Sequence, residues 1–199
     1  YRFVRKNCVD EKQTYDLALS ILLLSRVGDR QDRGQIRTMG ARLLAGQTKT
    51  GGWSYSNPEV DAGILSDLRK IEKKDGAGDN SNTQFAVLGL WVASRYGVPI
   101  DDAMIEVATR FVGEQKEDGG WPYTSKDEGS RNTMTSAGLF CLTVARATRI
   151  RKAQKSSGES VRGQKETLLS DPVYAKGLER VGAYAQGMSP GSARYFIWS

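Results

Sequence analysis

Nine residues occur twice in this chain on the same skeleton. Gln47-Thr48-Lys49-Thr50-Gly51-Gly52-Trp53-Ser54-Tyr55 and Gln115-Lys116-Glu117-Asp118-Gly119-Gly120-Trp121-Pro122-Tyr123 both read Q-x-x-x-G-G-W-x-Y, with the glutamines 68 residues apart. Each copy lies between matching apolar segments. A segment that recurs in this way is one supersecondary unit of an array. Arrays fold by stacking, because a single unit cannot cover its own apolar face.

The apolar segments between the copies are of two kinds. Thr14 to Val27 is rich in Leu and Ala and apolar most of the way round, which predicts a deeply buried helix ended by Gly28. Gln31 to Gly46 differs. Ile36, Met39, Leu43 and Leu44 fall at i, i+3, i+7 and i+8, with Arg33, Arg37 and Arg42 elsewhere, the pattern of an amphipathic surface helix. After the first motif, Ser56 to Ser81 is irregular, with a short helix within Ile64 to Ile71. The cycle then restarts. Ser81-Asn82-Thr83-Gln84 has capping-box spacing, and Phe85 to Ala93 is again apolar nearly all round. Asp101 and Asp102 open an amphipathic helix with Met104, Val107, Ala108, Phe111 and Val112 inward.

A third cycle starts at Asn132-Thr133, an echo of Asn82-Thr83, with its buried helix from Ser136 to Ala145. Arg149 to Gln164 is basic and polar and reads as part of a surface insertion over 149–170. Asp171-Pro172 restarts a helix with Tyr174, Leu178, Val181 and Ala185 inward. Gln186 takes the third motif's glutamine position, but Gly187 to Gly191 brings no tryptophan. The expected architecture is a single all-α domain over 1–199, an αα-barrel or solenoid of about three inner/outer helix pairs in units 10–55, 79–123 and 129–191. Tyr195, Phe196 and Trp198 open what resembles a fourth buried helix. The domain is therefore expected to be incomplete at its C-terminus and to need further helices or a partner.

Within the motif, Gln47 and Gln115 are expected to hydrogen-bond free backbone groups at helix ends. The paired glycines, Gly51-Gly52 and Gly119-Gly120, permit a tight reversal at positive φ. Trp53 and Trp121 supply flat surfaces to pack against those turns. All of these roles are structural.

The chain contains no histidine, which removes histidine acid–base chemistry, Ser-His and Cys-His nucleophile systems and the common zinc sites. Cys8 and Cys141 make neither a disulfide framework nor a metal cluster and read as small buried apolar residues. No metal and no cofactor are expected. The net charge of +6 rests mainly on Arg26, Arg30, Arg33 and Arg37 and on Arg146, Arg149, Arg151, Lys152 and Lys155. Neither group is interleaved with aromatics, so a solvated basic face is favoured over a nucleic-acid patch. The longest apolar run, around Ile21 to Leu24, is too short to span a bilayer. No secretory signal is visible in a chain that opens on Tyr1, and the compartment stays open.

The two motif copies and the inner helices resemble the QW motif, Q-x-x-x-G-x-W, of the terpenoid cyclase and protein prenyltransferase superfamily. The resemblance covers most of residues 14–198. It implies an (α/α) toroid, whole or partial, whose inner helices surround an apolar cavity for an isoprenoid-type ligand. Candidate cavity-facing residues are Tyr55, Asp79, Asn82, Trp91, Tyr123, Asp127, Glu128 and Asn132, with loop solvation and helix capping as the competing role of the carboxylates. The superfamily's catalytic sets do not carry over. Asp101-Asp102 lacks the third aspartate of a D-x-D-D acid, the zinc set needs a histidine, and Gly113-Glu114-Gln115 lacks the cysteine of a thioester motif. The expected function is thus a terpenoid cyclase/prenyltransferase-like repeat domain without catalytic residues of its own. The alternative is a non-catalytic toroid that binds a protein or polymer within a larger protein.

Overall fold

The computed structural model describes residues 1–127, 129–157 and 170–186. It is all-α: α1 (Arg2–Asn7), α2 (Thr14–Val27), α3 (Arg33–Gly46), α4 (Asn80–Ala93), α5 (Asp101–Glu114), α6 (Asn132–Ser157) and α7 (Pro172–Gln186). Among the described residues the extended pairings are isolated bridges, two of them made by the motif tryptophans. The chain divides into two compact units, Tyr1–Ala103 and Met104–Ser199, with the division inside α5.

In the first unit α2 and α4 lie side by side and parallel. At their N-terminal ends the Tyr15 hydroxyl donates to Ser81 Oγ (2.6 Å), and at their C-terminal ends the Tyr96 hydroxyl donates to Ser25 Oγ (3.1 Å). Close approach is possible because Gly89 has no side chain: a Cβ there would come within 3.0 Å of the Ala18 Cα. The helix α2 is not buried all round as expected. Leu17, Ala18, Ile21 and Leu24 are fully buried, while Leu19 (49% exposed), Leu23 (37%) and Val27 (47%) form an exposed stripe at i, i+4 and i+8.

The expectation for α3 is corrected in the opposite sense. Its last eight residues are all buried, Arg42 among them. The cause is the stretch after the first motif, whose 3₁₀ turns at Ala62–Ser66 and Leu68–Lys70 replace the expected short helix. Ala62–Ser66 packs on α3. Arg42 donates to the carbonyls of Val60 (3.3 Å) and Glu11 (2.8 Å), so its charge ties two loops to the helix instead of facing water. At the other end α1, which the sequence pattern did not indicate, lies across the α2–α3 turn. There the Tyr1 hydroxyl donates to Asp32 (2.7 Å) and Asp29 (3.1 Å), and Arg5 Nε sits 2.8 Å from Asp32.

That arrangement has a measurable titration. Donation to Asp32, then burial and Asp29, push the Tyr1 phenol up to about 12. Because the folded value is raised, the contact is fully present below the ordinary phenol value near 10 and is lost as pH climbs through about 12. In an absorbance titration the Tyr1 phenolate should appear only near that pH and return towards the ordinary value in Asp32→Asn.

Helix α4 starts earlier than its capping-box spacing suggested. Asp79 is the N-cap, and Ser81 is a buried first-turn residue. In α5, Met104, Val107 and Phe111 are buried as expected. Val112 instead points out (53% exposed), and the buried Arg110 pairs with Glu114 (3.2 Å). Helix α6 does not stop near Ala145 but continues to Ser157, so residues 149–157 of the expected insertion are helical. The remainder of that stretch to 169 lies outside the described residues, as do 187–199 and the expectations placed on Tyr195, Phe196 and Trp198. On α7 Tyr174, Leu178 and Val181 are half-buried, while Ala185 and Gln186 are exposed.

Candidate functional site

The two motif copies build the same object twice. Gly51 and Gly119 both take φ +80°, where L side chains are strained. The amides of Thr48 and Lys116 donate to Gly52 and Gly120 (2.9 Å each), closing each loop. Trp53 and Trp121 are fully buried, and each indole N–H donates to a backbone carbonyl, Leu43 at 2.6 Å and Phe111 at 2.7 Å. Leu43 and Phe111 are each fourth from the end of their helix, where carbonyls lose their intrahelical donor. The tryptophans thus serve the C-terminal helix ends, a role the sequence did not assign to them.

The glutamines reach further. Gln47 Nε2 donates to its own loop at Gly51 (3.3 Å) and to Ala103 (3.0 Å) in the first turn of α5. Gln115 Nε2 donates likewise to Gly119 (2.9 Å) and to Val173 (2.7 Å) in the first turn of α7. Each glutamine thus ties the helix before its loop to the next helix of the same kind. Each tryptophan amide also faces a threonine on the following helix, Thr83 Oγ1 at 3.1 Å and Thr135 Oγ1 at 3.4 Å. This pairing sets Thr135 against Thr83 and Asn132 against Asn80. The apparent echo of Asn82-Thr83 in Asn132-Thr133 is two residues out of register.

The candidate cavity residues divide between the two units, Tyr55, Asp79, Asn82 and Trp91 in the first and Tyr123, Asp127 and Asn132 in the second. Asp79 is buried and spends both oxygens on Asn82, accepting from its backbone N–H (2.7 Å) and its Nδ2 (2.8 Å). Asn82 is fully buried, with no partner found for Oδ1. Asp127 closes its own turn by accepting from the Thr124 N–H (3.0 Å), and that bond holds its carboxyl below the usual range. Tyr123 lies under the Arg131 guanidinium, 5.2 Å from the ring centre. Asn132 is half-buried at the start of α6, and Glu128 lies outside the described residues. Asp79 is a helix cap, and Asp79→Ala should cost about 0.5–2 kcal/mol of stability while Asp79→Asn, which keeps a capping oxygen, costs little. Urea denaturation of both variants reads the difference.

Tyr55 does share one face of the first unit with residues the sequence did not single out. Tyr55 is 55% exposed and its ring centre lies 6.4 Å from that of Tyr15, which lies 4.6 Å from Phe85. Helical spacing continues this cluster along α2 through Leu19, Leu23 and Val27 and along α4 through the half-buried Leu88 and Val92, while the half-buried Trp91 stands about 120° round α4 from Phe85. Tyr15 could have been found only by knowing that α2 and α4 are parallel neighbours. An open hollow lies elsewhere, lined by Val60, Asp61, Gly63, Ile64 and Lys70. Among the described residues no cluster of three or more His, Cys, Asp or Glu is placed to hold a metal, and no helix is long and apolar enough to cross a membrane. Cys8 and Cys141 are buried free thiols, and burial pushes both above their ordinary range. No family model, no curated protein and no solved structure matches this chain.

Proposed function

We propose that this chain is a terpenoid cyclase/prenyltransferase-like repeat domain, part or all of an (α/α) toroid, that holds an apolar isoprenoid-type chain without transforming it. The observation that carries this reading is the face of α2 and α4. Tyr15, Tyr55 and Phe85 cluster at one end, and Leu19, Leu23 and Val27 remain exposed along its length. The carboxylates are engaged locally, Asp79 in a helix cap and Asp127 in its own turn, which supports a binding role over acid catalysis. Farnesol titrated against the intrinsic tyrosine and tryptophan fluorescence is the test, with Tyr15 and Tyr55 on the face itself. Saturable quenching should be weakened about tenfold or more by Leu19→Asp or Leu23→Asp, since each removes a buried leucine's transfer energy from the complex.

A second reading rests on the i, i+4, i+8 spacing of Leu19, Leu23 and Val27, which also suits a helix of a protein partner or of a larger toroid. Absence of saturable farnesol binding, together with self-association that Leu23→Asp abolishes, would select that reading and remove the first.

A further inference from the structure

The chain contains two Asp-Gly pairs, Asp75-Gly76 and Asp118-Gly119, in very different settings. Asp118 is held on every side. Its oxygens accept from Ser130 Oγ (2.6 Å), Arg180 Nη1 (2.7 Å) and the Gly120 N–H (3.0 Å), and the Gly119 N–H is itself engaged with Lys116 O (2.9 Å). Asp75 pairs with Lys49 Nζ at 2.8 Å, and the two side chains are 90% and 62% exposed. Such a pair restrains little. Gly76 is exposed, at φ +125°, with open space where a Cβ would stand.

We propose that Asp75 is a site of aspartyl isomerisation and that the change releases the strap over the first motif. The Gly76 amide nitrogen attacks the Asp75 carboxyl carbon. A C–N bond forms, the amide proton departs together with the hydroxyl of the protonated carboxyl as water, and a five-membered succinimide results. Water then reopens the ring at either carbonyl. Opening at the original main-chain carbonyl leaves the peptide link on the side-chain carbon and a new free carboxylate, with no net change in mass. Water is the sole co-reactant.

The position gives the change its consequence. Residues 73–77 cross the first motif loop: the Lys49 N–H donates to Lys74 O (3.0 Å), Thr50 Oγ1 meets the carbonyls of Gly76 and Ala77 (3.1 Å each), and Lys73 Nζ donates to Gln47 Oε1 (3.1 Å). An extra backbone carbon after residue 75 displaces those carbonyls from their donors. Only the first copy is exposed to this. Trp53 and its bridge partner Asp79 are separated by a long excursion, whereas Trp121 pairs with Arg131 across a short one.

Prolonged incubation of the full chain near neutral pH, with peptide mapping by a fragmentation method that separates isoaspartate from aspartate, tests the site. Isoaspartate should accumulate at 75 at least about tenfold faster than at 118, given the hydrogen bonds that must break at Asp118 first. The aged fraction should exchange the Lys49 amide proton at least about tenfold faster than fresh protein, as loss of its acceptor requires. Asp75→Glu, which keeps the charge but cannot close the five-membered ring, should show neither effect. Equal rates at 75 and 118, or no isoaspartate at 75, overturn the site. Isoaspartate at 75 with unchanged Lys49 exchange overturns the release of the strap.

Discussion

Trp121→Ala leaves the second unit unable to hold its fold, and Trp53→Ala does the same to the first. Both side chains are fully buried. Emptying such a site costs about 3–5 kcal/mol in lost transfer energy and cavity. A second loss follows, because the carbonyls of Phe111 and Leu43 each lose the indole donor that satisfies them. A buried acceptor left without a partner costs about 1–3 kcal/mol more. The sum is comparable to the whole stability of a small domain, about 5–15 kcal/mol. Trp→Phe separates the terms, since the ring stays and the donor goes. It should cost mainly the unpaired carbonyl, with a smaller contribution from lost volume. The thiols report the result locally: Cys141 belongs to the second unit and Cys8 to the first, and both are buried. Trp121→Ala should make Cys141 react at the rate of a free thiol, and Trp121→Phe should shift the denaturation midpoint without doing so. If Trp121→Phe stays within about 0.5 kcal/mol of the parent, a change typical of neutral surface sites, the indole bond is not what joins loop to helix.

That bond shows how much the sequence alone contains. The spacing Q-x-x-x-G-G-W named the glutamine, the glycine and the tryptophan, because a loop this tight allows few residue types at those places. It could not assign the jobs, since the tryptophan's acceptor lies ten residues upstream in each copy while the glutamine's lies on a helix 56 residues away in one and 58 in the other. The threonines that receive the tryptophan amides were illegible for a related reason. Thr83 is 30 residues beyond its tryptophan and Thr135 only 14. Helix burial failed where a loop decided it: α3 has the sequence of a surface helix, but the Val60–Ser66 stretch covers it and Arg42 is satisfied by carbonyls instead of water. The capping-box reading of Ser81 failed because Asp79, two residues earlier, is the stronger acceptor for the same N-terminal amides. Of the candidate site, Tyr55 was legible as an aromatic, and the Tyr15–Phe85 contact that gives it a setting was not.

Glycine substitutions carry the second large effect, and their ordering is the informative part. Gly28, Gly78 and Gly119 all have positive φ, at +77°, +64° and +80°. An alanine in that region costs about 1–2 kcal/mol from its own backbone alone. Gly28→Ala should cost that and no more, because its Cβ would meet nothing within 4 Å. At Gly119 the new Cβ would lie 2.5 Å from the Lys176 carbonyl oxygen and 2.9 Å from its carbon, atoms of the α7 backbone that no rotamer change can move. Relief requires shifting α7, which draws Val173 away from Gln115, so overpacking adds about 1–3 kcal/mol or more. Gly78→Ala meets the Trp53 backbone in the same way, with its carbonyl carbon and nitrogen both 2.7 Å from the Cβ. Urea midpoints should therefore fall slightly for Gly28→Ala and steeply for the other two. Gly119→Ala and Gln115→Ala together should cost less than the sum of the two, since both bear on α7, at Lys176 and Val173, and such neighbours are not additive. Three equal shifts would mean that backbone conformation alone sets the cost, and that α7 does not bear on the second motif as tightly as the 2.7 Å bond to Val173 requires.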